Sequence, residues 1–437
     1  IALQEAGVQG RDIAGIGFSG QMHGMVALDE NKQLACNAII HLDQRSSVDL
    51  KEIRALAGNL MTEELLNQPS AGMMISSLYW LKKHQKETYD RIRYVMSPKD
   101  YISFRLCGEI GTEYTDAGAA LGFSVKNYHW CTELFKRLDL KEDIWPPVHK
   151  SYEIAGHVTA KAAEETGLST STKVICGAGD SMAALTGNGI IEKGFITCNI
   201  GTSSQLAVVV DKPIFDPKMR IQTWCHTVPQ RWVVQSGTLN GGSVLSWLRN
   251  NMLKTDQSFA KLDQEAGLTP AGADGLYFLP YLAGERTPYN DPYAKGVFFG
   301  LSMMHQQGHL VRSAMEGILF NLKECLYILD EMKVDRSRLI ASGGAARGVT
   351  WKQIQADVLN MPVYSTNVKE EACQGAAILA AVGVGFFKDI KEGCQAAVTM
   401  SPEVVEPIPE NVKIYNEKQE IFHDLYYSVK ELYPRIR

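Results

Sequence analysis

The stretch KVICGAGDSMAALTGNG, residues 173 to 189, constrains this chain more than any other. Four residues of strand character, Lys173 to Cys176, run into glycine, alanine and glycine. One acid, Asp180, follows, and then a run of small residues of helical character. A strand that becomes a helix within a few residues belongs to α/β architecture, because each element must bury its apolar face on a neighbouring layer. The glycines allow a tight turn and a close approach by another backbone or by a ligand. The acid stands at a helix start, where unsatisfied N–H groups favour a negative charge by ~0.3–1 kcal/mol when exposed. Taken alone, such an aspartate reads as a helix cap.

Two further glycine turns lie downstream. In CNIGTSSQLAVV (198–209), apolar strands flank Gly201-Thr202-Ser203-Ser204. A turn of this composition exposes successive N–H groups and hydroxyls, which donate to phosphate oxygens without steric bulk. It also fits an ordinary hairpin. In IASGGAARGVTWKQIQADVLNMP (340–362), a strand ends at Gly343-Gly344-Ala345 and a helix follows. Bare backbone there can lie against a ribose or a nucleobase, or simply close a strand–helix turn. No G-x-G-x-x-G follows an early strand with an acid about 20 residues on, which argues against a dinucleotide-binding dehydrogenase.

The remaining pattern is mixed α/β. Strand-like runs fall at 13–18, 25–28, 38–42, 173–176, 195–200, 205–210, 231–236 and 338–342. Helical spacing marks 47–57, 76–84, 99–106, 132–138, 159–166, 243–253, 306–329, 350–359, 372–382 and 413–432; Leu310, Ala314, Ile318 and Leu322 share one face. Hairpins alternate with strand–helix units, so mixed sheets in two α/β bodies are expected. At 437 residues two domains are the natural division. The boundary is placed between 187 and 188, giving domains 1–187 and 188–437.

Charge and composition exclude several classes. A net charge of −5 leaves no basic footprint for nucleic acid. No apolar run reaches membrane-spanning length and no leader pattern opens the chain, which points to a cytoplasmic protein. The nine cysteines make no metal-ligand spacing, so no metal site is expected, and they read as reduced, small apolar residues.

Polar residues at strand ends complete the picture. Gln21-Met22-His23 interrupts two strands in GFSGQMHGMVALD (17–29), and Asp43-Gln44-Arg45 follows AIIHL. Amide, imidazole, carboxylate and guanidinium groups gathered in this way suit polyol recognition.

In order and spacing, these pieces resemble the FGGY family of carbohydrate kinases, the xylulose kinase branch most of all. SGQMHG, PKDYISFRLCGEIGTEYTDA (98–117), GAGDSMA, NIGTSS, FLPYLAGERTPYNDPYAKGVFFGL (278–301), SGGAARGVTW and EEACQGAAILAAVGVG (370–385) carry the resemblance. It implies a two-domain fold of the actin, hexokinase and ribonuclease H type, with mixed sheets flanked by helices and a cleft between domains. It implies ATP, carried with Mg2+, on the second domain and a sugar on the first. The implied reaction is phosphorylation of a sugar hydroxyl, D-xylulose to D-xylulose 5-phosphate, with ribulose, gluconate or another polyol as the alternative acceptor. A non-catalytic sugar-sensing module of the same fold is the alternative of a different class.

The resemblance assigns roles residue by residue. Asp180 aligns with the catalytic base. Met22, His23, Asp180 and Ser181 match the sugar contacts, and Asp43 and Arg45 shape the sugar pocket. Gly201, Thr202 and Ser203 match the phosphate turn, Gly242 and Ser246 positions near the nucleotide, and Gly344, Ala345 and Gly348 the adenosine side. Gly348 stands where related kinases often carry asparagine, Ser181 where xylulose kinases often do, and His41 replaces a common tryptophan. The chain opens at Ile1 within what reads as the end of a helix. The expectation is therefore that an upstream hairpin with a second phosphate turn is absent from it. Small-molecule sugar and ATP are the expected partners, and a homodimer is left open.

Overall fold

The computed structural model describes residues 2–436. Its largest element is a six-stranded sheet, ordered Gln222–Cys225, Trp232–Thr238, Ser204–Val210, Phe195–Ile200, Arg338–Ser342, Val363–Tyr364. The first four strands pair antiparallel, and Arg338–Ser342 then joins parallel to Phe195–Ile200. Period-two alternation makes this sheet two-faced. Leu206, Val208 and Val210 enter one core with Ile196, Cys198 and Ile200. Ala207 and Val209 enter the other with Val233 and Ile340. The long helix Gln307–Glu331 lies in the first core, with Ala314, Ile318 and Leu322 fully buried and Leu310 packed at the margin.

The amino-terminal body is built around smaller sheets. Gly15–Ile16 pairs parallel with Lys173–Ile175, which pairs antiparallel with Ile154–His157. Immediately beyond, Ser19–Gly20 pairs parallel with Ala178–Gly179. Of the strand expected at 13–18 only Gly15–Ile16 forms; the run stops at Gly17, and the next strand, Ser19–Gly20, lies beyond it. The cause is a close approach by the helix Glu371–Gly383: a β-carbon on Gly17 would lie 2.5 Å from the Ala376 carbonyl oxygen. That helix also crosses the helix Asp180–Gly187 backbone to backbone. A β-carbon on Gly375 would collide with the Ala183 carbonyl, and one on Gly187 with that of Glu371.

The strand expected at 38–42 does not form. Only Ile39 pairs, with Met25, and only Ile39 of the run is well buried; Leu42 is 68% exposed. Strands at Gln222–Cys225, Tyr277–Leu279 and Val297–Phe299 escape sequence reading because they are short and lack clear alternation. All nine cysteines are free; seven are buried, Cys36 is half-buried and Cys373 is exposed. Among the described residues no helix is long and apolar enough to cross a membrane.

Candidate active site

Two parallel strand pairs deliver Asp180 to its place. The chain leaves Lys173–Ile175, turns at Gly177 with φ of +77°, runs through Ala178–Gly179 and enters the helix Asp180–Gly187. Gly177 takes the left-handed region with the Phe18 backbone packed against it, a position that a side chain would obstruct. Asp180 is not the helix cap. Gly179 holds that position, and Asp180 is the first helical residue. Its Oδ1 accepts the Ser181 N–H at 2.7 Å, while Oδ2 takes no hydrogen bond among the described residues. The residue is exposed to solvent, yet the surrounding protein partly desolvates its carboxylate. That desolvation raises its pKa above the usual carboxylate range, against the opposing bond from Ser181 and the charge of His41.

Met22 and His23 lie beside this turn. Met22 is buried against Gly179, where a β-carbon would be 2.5 Å from its Cγ. His23 adopts φ of 73°, uncommon for a non-glycine residue and a form of strain found at functional sites. Its Nδ1 is 2.9 Å from the Ala119 carbonyl oxygen, so Nδ1 carries the proton and donates. Burial lowers the His23 pKa to about 4, aided by His41 and Arg286 and opposed by the Ala119 bond. The ring is therefore neutral at ordinary pH, and its free Nε2 is an acceptor. Trp224, from the second domain, tilts against it with centroids 5.3 Å apart. Gln21 Oε1 lies 2.9 Å from His41 Nδ1.

Asp43 and Arg45 do not join this group through any direct contact. Asp43 Oδ1 accepts both the backbone N–H and the Nε–H of Arg45 at 2.9 Å, and the guanidinium lies 5.1 Å from the Trp80 ring centroid.

The residues that the resemblance assigns to the nucleotide converge. A cavity of about 670 Å³ is lined by Gly201, Thr202, Gly242, Ser246, Gly344, Ala345 and Gly348. Ser203 lies behind its wall, where the Gly241 backbone packs on the Ser203 carbonyl. Two helix-start amides hold the Gly201–Ser204 turn: Gly242 N–H donates to the Gly201 oxygen at 2.6 Å and Ser243 N–H to the Thr202 oxygen at 3.1 Å. A β-carbon at Gly242 would lie 2.7 Å from the Gly201 oxygen, and one at Gly343 2.7 Å from the Ile200 oxygen. These glycines are required by backbone packing, and Thr202, exposed to solvent, borders the cavity. Phe259, Asp263 and Trp351, which sequence reading did not single out, supply the flat and polar walls at the far end. A buried carboxylate, Glu285, braces the segment that leads into the helix Gly242–Trp247 by accepting the Leu239 N–H at 2.7 Å and an Asn240 amide hydrogen at 3.3 Å.

A second cavity, about 610 Å³, joins the two halves. It is bounded by Ala184 of the helix that Asp180 begins, by Gly343 and Gly344, and by Thr366 and Lys369. Gly344 and Arg347 line both cavities. A glycine-walled pocket suited to a phosphorylated nucleotide thus meets a cleft whose other wall leads to an unpaired carboxylate.

Comparisons with known proteins identify the family and the fold. Residues 1–187 match the amino-terminal domain model of the FGGY family of carbohydrate kinases, and residues 196–384 match its carboxy-terminal domain model. The chain is 33% identical over 430 residues to a xylulose kinase of Staphylococcus epidermidis, covering 98% of this chain and 86% of that protein. It superposes with a TM-score of 0.91 on a ligand-bound xylulose kinase of Lactobacillus acidophilus, 25% identical, covering 99% of this chain and 88% of that one. A gluconate kinase of the same organism gives the same TM-score, identity and coverage. Two domain models that together span most of the sequence, and full-length similarity above 30%, place this chain in the FGGY family of carbohydrate kinases.

Proposed function

We propose that this kinase transfers the γ-phosphoryl group of ATP to a hydroxyl of a ketopentose, converting D-xylulose to D-xylulose 5-phosphate, with Asp180 as general base. The observation that carries the reading is the Asp180 carboxylate. One oxygen is held by Ser181 and the other is free, at the head of a helix whose next turn lines the interdomain cavity. The acceptor hydroxyl gives its proton to Asp180 as its oxygen bonds to the γ-phosphorus. The bond from phosphorus to the bridging oxygen breaks, and ADP leaves. A carboxylate whose pKa is raised by desolvation is a better base than a solvated one.

On this reading Met22, His23 and Ser181 face the sugar, with Asp43 and Arg45 at the pocket's edge. The neutral His23 accepts a hydroxyl hydrogen at Nε2. Gly201, Thr202, Ser203, Gly242 and Ser246 serve the phosphates, and Gly344, Ala345 and Gly348 the adenosine. Mg2+ arrives with the nucleotide and offsets charge on the transferring group. The sugar domain comprises residues 1–187 and the nucleotide domain 188–437, a division supported by the ranges of the two matched domain models.

A coupled assay of Asp180→Asn tests the base. The amide keeps the shape and accepts no proton, so kcat should fall by about 10²–10⁴ with sugar affinity changed by no more than a few-fold. Retention of a tenth of wild-type kcat would refute the assignment.

One observation favours a second reading, a sugar acid as acceptor. Arg54 and Arg286 form no ion pair among the described residues, and both line a cavity of about 150 Å³ at the domain junction. Arg286 also contributes to holding His23 neutral. Comparing kcat/KM for D-xylulose, D-ribulose and D-gluconate separates the two readings.

A further inference from the structure

Directly behind the Asp180 turn lies a cluster of ionisable groups that the proposed chemistry does not touch. Lys99 is completely enclosed, and its ammonium faces three carboxylates: Asp100 at 2.6 Å, Asp116 at 3.3 Å and Glu113 at 3.6 Å. All of these side chains are buried. A cluster of this kind is a poor way to gain stability, since each desolvated charge carries a penalty that apolar packing avoids. The imbalance is visible. Both Asp116 oxygens and one Asp100 oxygen make no hydrogen bond, and burial among like charges raises the Asp116 pKa well above its usual range.

What the cluster does hold is the backbone leading to Asp180. Lys99 Nζ donates to the Cys176 carbonyl at 3.1 Å. At the other end of the turn, the Gly179 N–H donates to Thr115 Oγ1 at 2.9 Å. Thr115 is itself fixed, because its hydroxyl donates to Glu113 Oε1 at 2.6 Å. That leaves its oxygen turned toward Gly179. Ser151 completes the frame: its hydroxyl donates to Glu113 Oε2 at 2.8 Å while its carbonyl accepts the Gly177 N–H at 2.9 Å. The sugar side is wedged against the same frame, since a β-carbon on Gly20 would lie 2.7 Å from Lys99 Cβ. Residues 176 and 179 are thus gripped by one Lys–Glu–Thr assembly, and Asp180 is the next residue along.

We propose that Lys99 and Thr115, tied together through Glu113, are positioning residues that fix the 176–179 turn and thereby aim the Asp180 carboxylate at the acceptor hydroxyl. The proposal rests on the reading of Asp180 as the base. Phosphoryl transfer depends on alignment, and a displacement of about 1 Å costs on the order of 10²-fold in rate. A residue that only aims the base should therefore alter kcat and leave binding nearly untouched.

The test is a double-mutant cycle between Thr115 and Asp180 in the full-length enzyme, measured by coupled assay and thermal melting. Thr115→Val removes the acceptor for Gly179 at nearly constant volume. It should lower kcat by about 10- to 100-fold while the KM values for sugar and ATP stay within about threefold. Thr115→Ser, which restores the oxygen, should return most of kcat even if the valine variant folds poorly. In the Asp180→Asn background, Thr115→Val should lower the residual rate by less than about twofold, because an aim without a base has no effect. Equal loss in both backgrounds, or a lowered melting temperature with unchanged kcat, would show that the cluster is only structural and overturn the proposal. A fully active Asp180→Asn enzyme would instead overturn the base assignment, so the two failures are distinct.

Discussion

Gly348 offers a sharp test of where the nucleotide lies. Its backbone has φ of −83° and ψ of 131°, a conformation open to any residue, so a substitution meets no backbone strain. The obstacle is a neighbour. A β-carbon there would sit 2.6 Å from Asp263 Oδ1 and 2.9 Å from Trp351 Cδ1. Asp263 caps the helix Val349–Leu359 by accepting the Thr350 and Trp351 N–H groups, both at 3.1 Å. Gly348→Ala must therefore push Asp263 off its cap, and loss of such a cap costs about 0.5–2 kcal/mol. Asp263 and Trp351 both line the 670 Å³ cavity. If the nucleotide needs this wall undisplaced, binding must restore it, and the energy translates into a rise of about 2- to 30-fold in the KM for ATP. The KM for sugar and kcat at saturating ATP should stay within about twofold. The assay is an ATP titration at saturating acceptor, with calorimetric titration of ADP as a check on binding itself. An unchanged ATP KM, or a change confined to the sugar KM, would refute the placement of the nucleotide against this wall.

The strand-and-glycine grammar of the second domain was legible because it is local. A turn such as Gly201–Ser204 between two apolar runs needs no distant partner to be read, and its strands formed at Phe195–Ile200 and Ser204–Val210. The nucleotide-side glycines identified from motif resemblance also converge on one cavity, with Ser203 just behind it. Legibility ends where a role is set by a neighbour remote in sequence. Lys99, Glu113, Thr115 and Cys176 form one assembly, yet nothing in the linear chain links a lysine to a carbonyl 77 positions on. Gly348 looks like a lost asparagine until Asp263 is seen in the space. Asp43 and Arg45 show a contact that local sequence does make legible: a carboxylate two residues before a guanidinium binds that neighbour. The 38–42 run failed because apolar character was read as a strand, although Ile40 and Leu42 face outward and only Ile39 finds a pairing partner.

Three further outcomes are expected. His23→Ala removes an acceptor on the sugar side, so kcat/KM for sugar should fall by a factor corresponding to about 1–3 kcal/mol, with ADP affinity in the absence of sugar unchanged; an equal loss of ADP binding would contradict its place in the site. Gly375→Ala forces apart two helices that touch through backbone, and thermal melting should report about 1–3 kcal/mol of destabilisation; a melting temperature equal to wild type would contradict the close crossing. The last concerns acid. His226 is buried, with Nε2–H donating to the Ile190 oxygen at 3.1 Å and Nδ1 accepting the Val228 N–H at 3.0 Å. Burial lowers its pKa from 6.5 to about 4. The unfolded chain therefore binds a proton in this window that the folded chain refuses, so stability is complete above pH 6.5 and is lost as pH falls toward 4. Over that shift the contribution at pH 5 is about 2 kcal/mol. His226→Gln, which titrates nowhere in the range, should be less stable than wild type at pH 7.5 and should lose less on going to pH 5. Parallel pH-stability curves for the two proteins would mean that His226 protonates freely in the folded state and that its buried, neutral assignment is wrong.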